Sequence, residues 1–303
     1  MRIVHVSDLH VMAPRGVRLR SVLFNKRLTG YANLLLHRAR VFRRDYLETV
    51  LGAAARDGDH IVVTGDVTNL SLDSEYQEAG RMLSDLARTV EVTIVPGNHD
   101  LYIPHVQRDG RFLRYLGAFA TSDLPELAQE VPAGRFPFVR LRGASAIIGL
   151  SSAVPRPPFV SAGLLGDRQL GALTRILGHP EVACRTPIVL VHHDPMDSPF
   201  RLEQLRSGLW DARELRDALA GVGRGLVLFG HLHLRRRNTL RTSGGELDVV
   251  CASGASLDHP SDSIRAGYNV YELDQAGRVL SIEARVLDDS GRALRNVAVP
   301  RSS

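Results

Sequence analysis

Cysteine is almost missing from this chain of 303 residues: Cys184 and Cys251 are the only two. Both lie near or within apolar runs, so they read as small buried side chains and argue against a disulfide framework or a thiolate metal site. A reducing compartment is the simpler expectation. No hydrophobic run approaches the roughly 20 residues needed to span a bilayer. The opening MRIVHVSD lacks a basic stretch leading into an apolar core, because Asp8 and His10 interrupt it. Export is therefore not expected, and the cytoplasm is the expected location. Hydrophobic residues at 44% fit a globular chain with a substantial core.

Acid is missing from one long stretch. Between Asp8 and Asp45 there is none, while Arg15, Arg18, Arg20, Lys26, Arg27, Arg38, Arg40, Arg43 and Arg44 supply nine positive charges. The whole chain carries a formal charge of only +5, so the placement matters more than the total. Such a field attracts phosphates, nucleic acid or anionic lipid, or it is a solvated face balanced by acids elsewhere. Aromatics are also scarce in it, with Phe24, Tyr31 and Phe42 alone. That poverty argues against a platform for stacking single-stranded bases, and no specific nucleic acid is expected.

Short apolar runs alternate with helical patterns. Residues 2–7 read as a strand, 45–57 as a helix stopped at Gly58, 60–64 as a buried strand, 74–86 as a helix and 91–95 as a strand. A third unit pairs 144–150 with a helix over 167–177. Further strands are expected at 186–191, 225–229, 246–252, 266–273 and 279–287, with a helix over 210–219 and a turn at Gly277. Successive strand–helix units imply parallel strands with covering helices. Residues 11–44 stand apart as a basic, cap-like insertion in a single domain spanning 1–303. Within it Tyr31, Leu34, Leu35, Arg38 and Phe42 recur at helical spacing.

Directly after the strands come polar clusters: Asp8 and His10, Gly65-Asp66, Gly97-Asn98-His99-Asp100, His192-His193 and Gly230-His231-Leu232-His233. Residues at the carboxyl ends of strands converge in open α/β sheets. Taken singly, each cluster has a plain structural reading, such as a turn acid, an Asx turn or a core histidine. Asp8 and His10, two apart, share one face of an ideal strand. Asp66 can offer one oxygen to each of two ions, and Asn98 a neutral carbonyl oxygen that adds no charge to repel phosphate. All the clusters together, in the order D-x-H, GD, GNHD, HH, GH-x-H, point to a dinuclear metal site.

In these motifs the chain resembles the calcineurin-like metallophosphoesterase superfamily, from Val4-His5-Val6-Ser7-Asp8-Leu9-His10 through His231-Leu232-His233. The resemblance implies a four-layer αββα sandwich of two stacked mixed sheets flanked by helices. It implies that Asp8, His10, Asp66 and His233 hold one ion and Asp66, Asn98, His192 and His231 the other, with His193 left out. The phosphoprotein phosphatases of that superfamily carry an aspartate three residues after the bridging acid, where this chain has Asn69. His99 must therefore find another orienting group.

Two divalent cations in such a site would activate water near neutral pH and stabilise charge at phosphorus. His99 and Asp66 are the expected catalytic residues, His99 as the donor of a proton to the leaving oxygen. Mixed oxygen and imidazole ligation suits manganese first, with iron or zinc compatible. Arg235, Arg236 and Arg237 follow the last motif, where one could reach a phosphate or all could be solvated. The expected reaction is hydrolysis of a phosphoester or pyrophosphate on a small molecule or a lipid. The apolar-basic insertion favours a membrane-associated substrate such as UDP-2,3-diacylglucosamine, with the chain peripheral on an anionic inner membrane face. Two alternatives are a 3',5'-cyclic-nucleotide phosphodiesterase and a non-catalytic, metal-stabilised protein-binding scaffold.

Overall fold

The computed structural model describes residues 1–12 and 41–302. Within them the chain runs β1 (Arg2–Val6), α1 (Arg44–Asp57), β2 (His60–Val63), α2 (Asp73–Leu86) and β3 (Glu91–Ile94). Two short helices follow, α3 (Pro104–Arg108) and α4 (Arg111–Leu116), then a small hairpin, β4 (Gln129–Val131) with β5 (Gly134–Phe136). The second half contains β6 (Phe138–Arg142), β7 (Ser145–Gly149), α5 (Asp167–Leu177), α6 (Pro180–Ala183), β8 (Thr186–Leu190), α7 (Arg201–Ser207), α8 (Ala212–Ala218) and β9 (Arg224–Phe229). It ends with β10 (Arg236–Arg241), β11 (Glu246–Cys251), β12 (Gly267–Leu273), β13 (Val279–Leu287) and β14 (Leu294–Ala298).

These strands form two six-stranded mixed sheets, ordered β14-β13-β12-β1-β2-β3 and β10-β11-β9-β8-β7-β6. One half of the first sheet is parallel, β1 with β2 and β2 with β3, and so is the centre of the second, β7 with β8, β8 with β9 and β9 with β11. The remaining pairs are antiparallel: β1 with β12, β12 with β13 and β13 with β14 in the first sheet, β6 with β7 and β10 with β11 in the second. The period of two along a strand explains the stacking. Ile147, Ile188, Leu190, Leu226, Leu228 and Val250 join the apolar cluster of the first sheet, whereas Ile148, Val189, Val227 and Val249 join that of the outer helices. Burying both faces of these strands is what a continuous apolar run such as Gly225–Phe229 requires.

Helices cover the outside because their apolar residues repeat at three and four. In α1 these are Leu47, Val50, Leu51 and Ala54, in α2 Tyr76, Ala79 and Leu83, and in α5 Leu170, Leu173 and Ile176. The expected αββα layering is thus the observed one. Elements without a clean period escaped sequence reading: β6, β10, β14, the β4–β5 hairpin and the four short helices. α8 begins two residues later than its pattern suggested. Asp211 is held out of helical geometry by accepting the backbone N–H groups of Leu165 and Gly166 at 2.9 and 2.7 Å.

Cys251 is buried as expected, but Cys184 is exposed, because it follows α6 and precedes the buried run that starts at Thr186. The helical pattern from Tyr31 to Phe42 falls mostly on residues 13–40, outside the described residues. Both flanks of that segment are described. Val11 N–H donates to Val67 O at 2.8 Å, and Asp258 N–H to Val41 O at 2.8 Å. Among the described residues no helix is long and apolar enough to cross a membrane.

Candidate metal centre

The carboxyl ends of β1, β2, β3, β8 and β9 meet at one seam between the sheets, and every polar cluster read from the sequence lies there. Five of its side chains leave the backbone in left-handed geometry: Asp8, His10, Asp66, His231 and His233 have φ between 47 and 66°. For residues other than glycine that region costs roughly 1–2 kcal/mol each. The turns aim successive side chains into the seam instead of alternating them across the sheet.

Two glycines of the motifs make room for the carboxylates. A Cβ on Gly97 would lie 2.2 Å from Asp66 Oδ1, and one on Gly230 would lie 1.9 Å from Ser7 Oγ and 2.5 Å from Asp8 Oδ2. Gly97→Ala should therefore push Asp66 from its place. We expect metal content, measured by plasma emission after dialysis, to fall below that of the wild type while the circular dichroism spectrum stays folded.

Three groups of donor atoms assemble, one of them the histidines His192, His193 and His231 and the other two built on Asp8. Asp8, His10 and His233 form one, and Asp8, Asp66 and His192 form another, the atoms in each lying within 4.8 Å of one another. In the first, His233 Nε2 is 3.0 Å from Asp8 Oδ1 and 3.3 Å from His10 Nε2. In the second, His192 Nε2 is 3.1 Å from Asn98 Oδ1 and 3.4 Å from Asp66 Oδ2. The main-chain N–H of His231 donates to Asp8 Oδ2 at 3.1 Å.

Partners on the far side of each ring decide which nitrogen faces the seam. Carbonyl oxygens only accept, so a ring nitrogen beside one must carry the proton. His192 Nδ1 donates to Thr64 O at 2.7 Å, leaving the Nε2 lone pair toward Asn98 and Asp66. His231 Nε2 donates to Ser207 O at 3.0 Å, leaving Nδ1. His193 differs. Its Nε2 donates to Ser161 O at 2.7 Å and its Nδ1 accepts from Ser152 Oγ at 2.7 Å, so neither nitrogen is available although the ring sits beside His192 and His231.

This donor set fits cations. Asp8 Oδ1 is buried with the His233 ring nitrogen 3.0 Å away, and His192 Nε2 faces two oxygens, Asn98 Oδ1 and Asp66 Oδ2, so both positions call for a positive charge, a proton or a metal ion. Burial alone would raise the Asp66 carboxyl, but His192 and His99 hold it well below the usual carboxylate range. Burial alone would lower His192, yet Asp66 and Asp8 push it up to about 9. The seam thus has a field that favours positive charge even at full burial. Oxygen and imidazole donors with outer carbonyl partners are the arrangement of a hard or borderline divalent ion.

His99 stands at the edge of the two groups. Its Nδ1 donates to the main-chain carbonyl of Asn69 at 2.6 Å, its N–H donates to Asp66 Oδ1 at 2.7 Å, and its ring stacks on Tyr102 at 5.2 Å. The missing dyad acid is thereby replaced by the backbone of the residue that stands in its position. Asn69 also donates through Nδ2 to His10 O at 2.8 Å, tying the β1 turn to the β2 turn. Asp100, quoted in the GNHD motif without a role, holds the loop that carries Asn98 and His99. Its Oδ1 accepts from Thr68 N and Oγ1 and its Oδ2 from Gly97 N, all at 2.9–3.0 Å.

Below the seam lies a buried polar ladder that sequence reading missed: Thr64 Oγ1 bonds His5 Nε2 at 2.8 Å, and His5 Nδ1 bonds Tyr271 Oη at 3.1 Å. Burial pushes the His5 imidazole down to about 3, so it is neutral there. The three consecutive arginines are all engaged by other groups of the chain. Arg235 is buried and donates to Asp262 O, Arg236 pairs with Asp194, and Arg237 pairs with Asp248 at 2.7 Å. Phe42, at the end of the basic insertion, packs on His10 with ring centroids 4.4 Å apart and on His233 at 5.8 Å.

Comparison with known proteins gives the same picture. The family model for calcineurin-like phosphoesterases matches residues 1–235. No curated protein sequence matches the chain. Among solved structures, a dimetal phosphatase from Danio rerio is similar with a TM-score of 0.57 at 12% identity, over 99% of each chain. A purple acid phosphatase from seeds of yellow lupin, Lupinus luteus, has a TM-score of 0.58 at 14% identity, over 99% of this chain and 54% of its own. This chain therefore spans about half the length of the lupin enzyme. The paired donor groups at the seam and the match over three quarters of the sequence lead to one conclusion: this chain belongs to the calcineurin-like phosphoesterase family, whose members bind two divalent ions and hydrolyse phosphoesters.

Proposed function

We propose that Asp8, His10, Asp66 and His233 hold one divalent ion, that Asp66, Asn98, His192 and His231 hold a second, and that the pair serves hydrolysis of an amphiphilic phosphoester or pyrophosphate. The observation that carries the reading is the convergence of both donor groups beside His99. When bound, the ions supply Lewis-acid stabilisation of phosphoryl charge and lower the pKa of water. The chain's own residues do the rest. Asp8 stands in two of the donor groups and Asp66 in the second of these, where its Oδ1 also receives the main-chain N–H of His99 and so ties that group to the proton donor. With Nδ1 held by the Asn69 carbonyl, His99 exchanges its proton through Nε2 and delivers it to the departing oxygen.

For the substrate, the support comes from the insertion. Its cations and apolar residues suit an acyl chain next to anionic groups, as in UDP-2,3-diacylglucosamine, and its flanking residues Val11 and Phe42 are pinned at the metal centre. Manganese is the proposed metal and the inner face of a membrane the proposed location. Two measurements test this. Metal analysis of protein saturated with manganese or zinc is expected to give two ions per chain, and a value of one overturns the shared role of Asp66. A panel of UDP-linked lipid, cyclic AMP and an aryl phosphodiester is expected to favour the lipid, with release of UMP. The preference should vanish in Leu34→Ser/Leu35→Ser while aryl ester hydrolysis persists. Preferred turnover of cyclic AMP overturns the lipid reading and leaves the phosphoesterase one intact.

A further inference from the structure

Single exposed apolar residues are ordinary, but clustered ones are not. Among the described residues eight large hydrophobic side chains are exposed, and six of them are Phe159, Leu164, Phe200, Leu202, Leu205 and Trp210. They belong to two loops laced together by main-chain bonds. Ser161 N–H donates to Arg206 O at 2.8 Å, Gly163 N–H to Gly208 O at 3.0 Å, and Trp210 N–H to Gly163 O at 3.1 Å. Leu202 and Leu205 are three apart on one side of α7, and the Trp210 indole N–H donates to Leu205 O at 3.1 Å. Phe159 is 78% exposed and held in left-handed backbone at φ 66°, a conformation that glycine or asparagine adopts more readily. The result is a fixed apolar lip.

Its charge is of one main sign. The Arg156 guanidinium lies 3.6 Å over the Trp210 ring. Arg201 and Arg206 on α7 form no ion pair with any described residue, and the acid of that helix, Glu203, accepts from the Ser198 hydroxyl. Leucine, phenylalanine and tryptophan rimmed by unpaired arginine is the composition that enters the interfacial layer of an anionic bilayer. The inner side of the lip is the wall of the metal centre, because Ser207 O holds His231 and Ser161 O holds His193.

We propose that this lip is a bilayer-contacting surface that seats the metal centre against an anionic membrane, distinct from the basic insertion. Its value for presenting a lipid phosphate rests on the phosphoesterase reading, but contact itself does not, and the experiment separates the two. Trp210 is the only tryptophan in the chain, so its emission reports the lip directly. The metal-loaded full chain is mixed with vesicles of phosphatidylglycerol and phosphatidylcholine, or of phosphatidylcholine alone, and followed by sedimentation and tryptophan emission.

Sedimentation with the anionic vesicles and a blue shift are expected. Phe159→Asn/Leu202→Gln/Leu205→Gln should weaken binding at least about tenfold, as loss of three large apolar contacts predicts, with folding checked by circular dichroism. Arg201→Gln/Arg206→Gln should weaken it at low salt and much less at high salt. Sedimentation without an emission change would place the contact elsewhere on the chain and overturn the proposal. So would absence of sedimentation, or a blue shift that depends on protein concentration without lipid, which would make the lip an interface between copies. In each of these cases hydrolysis of a soluble aryl phosphodiester would show that the phosphoesterase reading stands on its own.

Discussion

Asp66→Asn is expected to leave a folded protein that has lost one or both ions and turns over at least about 10³-fold more slowly, beyond the cost of losing a single charge-stabilising donor. The substitution is informative because of what it preserves. Asparagine tolerates the left-handed backbone found at this position and retains an oxygen that can accept the His99 N–H. Only the negative charge and the second strong donor are removed. Asp66 lies with Asp8 and His192 in one group and carries the charge that, with Asp8, pushes His192 up to about 9. Metal analysis and steady-state kinetics on the same preparation check the outcome. Two tightly held ions together with near-wild-type turnover would remove Asp66 from the centre of the scheme.

His99→Ala is expected to behave differently. Both ions should remain, because the nitrogens assembled in the two donor groups come from other histidines. Turnover of an ester with a poor leaving group should fall about 10²–10⁴-fold, the range for lost general acid catalysis. An activated aryl phosphodiester, whose leaving oxygen needs little protonation, should fall far less. Equal losses on the two esters would refute proton delivery to the leaving oxygen and reassign His99 to phosphate positioning.

Much of this centre was legible because its donors are side chains at strand ends. Asp8, His10, Asp66, Asn98, His192, His231 and His233 all follow buried apolar runs, and parallel strands bring such ends together. What escaped has a common physical cause. The groups that orient His192, His231, His193 and His99 are the main-chain carbonyls of Thr64, Ser207, Ser161 and Asn69. Every residue has a carbonyl, so no residue type marks the ones that matter. The same limit applies to the arginines after His233. Of their partners, Asp262 and Asp194 are distant in sequence and Asp248 lies on the adjacent strand β11, and nothing local distinguishes a paired guanidinium from one waiting for phosphate. Edge strands β10 and β14 were missed because half-exposed strands, arginine-rich in β10 and short in β14, carry little apolar alternation.

The left-handed turns set local stability against chemistry. At Asp8, His10, Asp66, His231 and His233 the backbone lies in the region that glycine favours, and each position carries a larger side chain in spite of that preference. A sequence drifting freely toward greater thermal robustness would shed these side chains early, since each replacement by glycine relieves a local conflict. What they contribute is their donor atoms, at a place where the two sheets are joined by polar groups rather than by packing. The seam is thus where the molecule gives up some durability in exchange for chemistry.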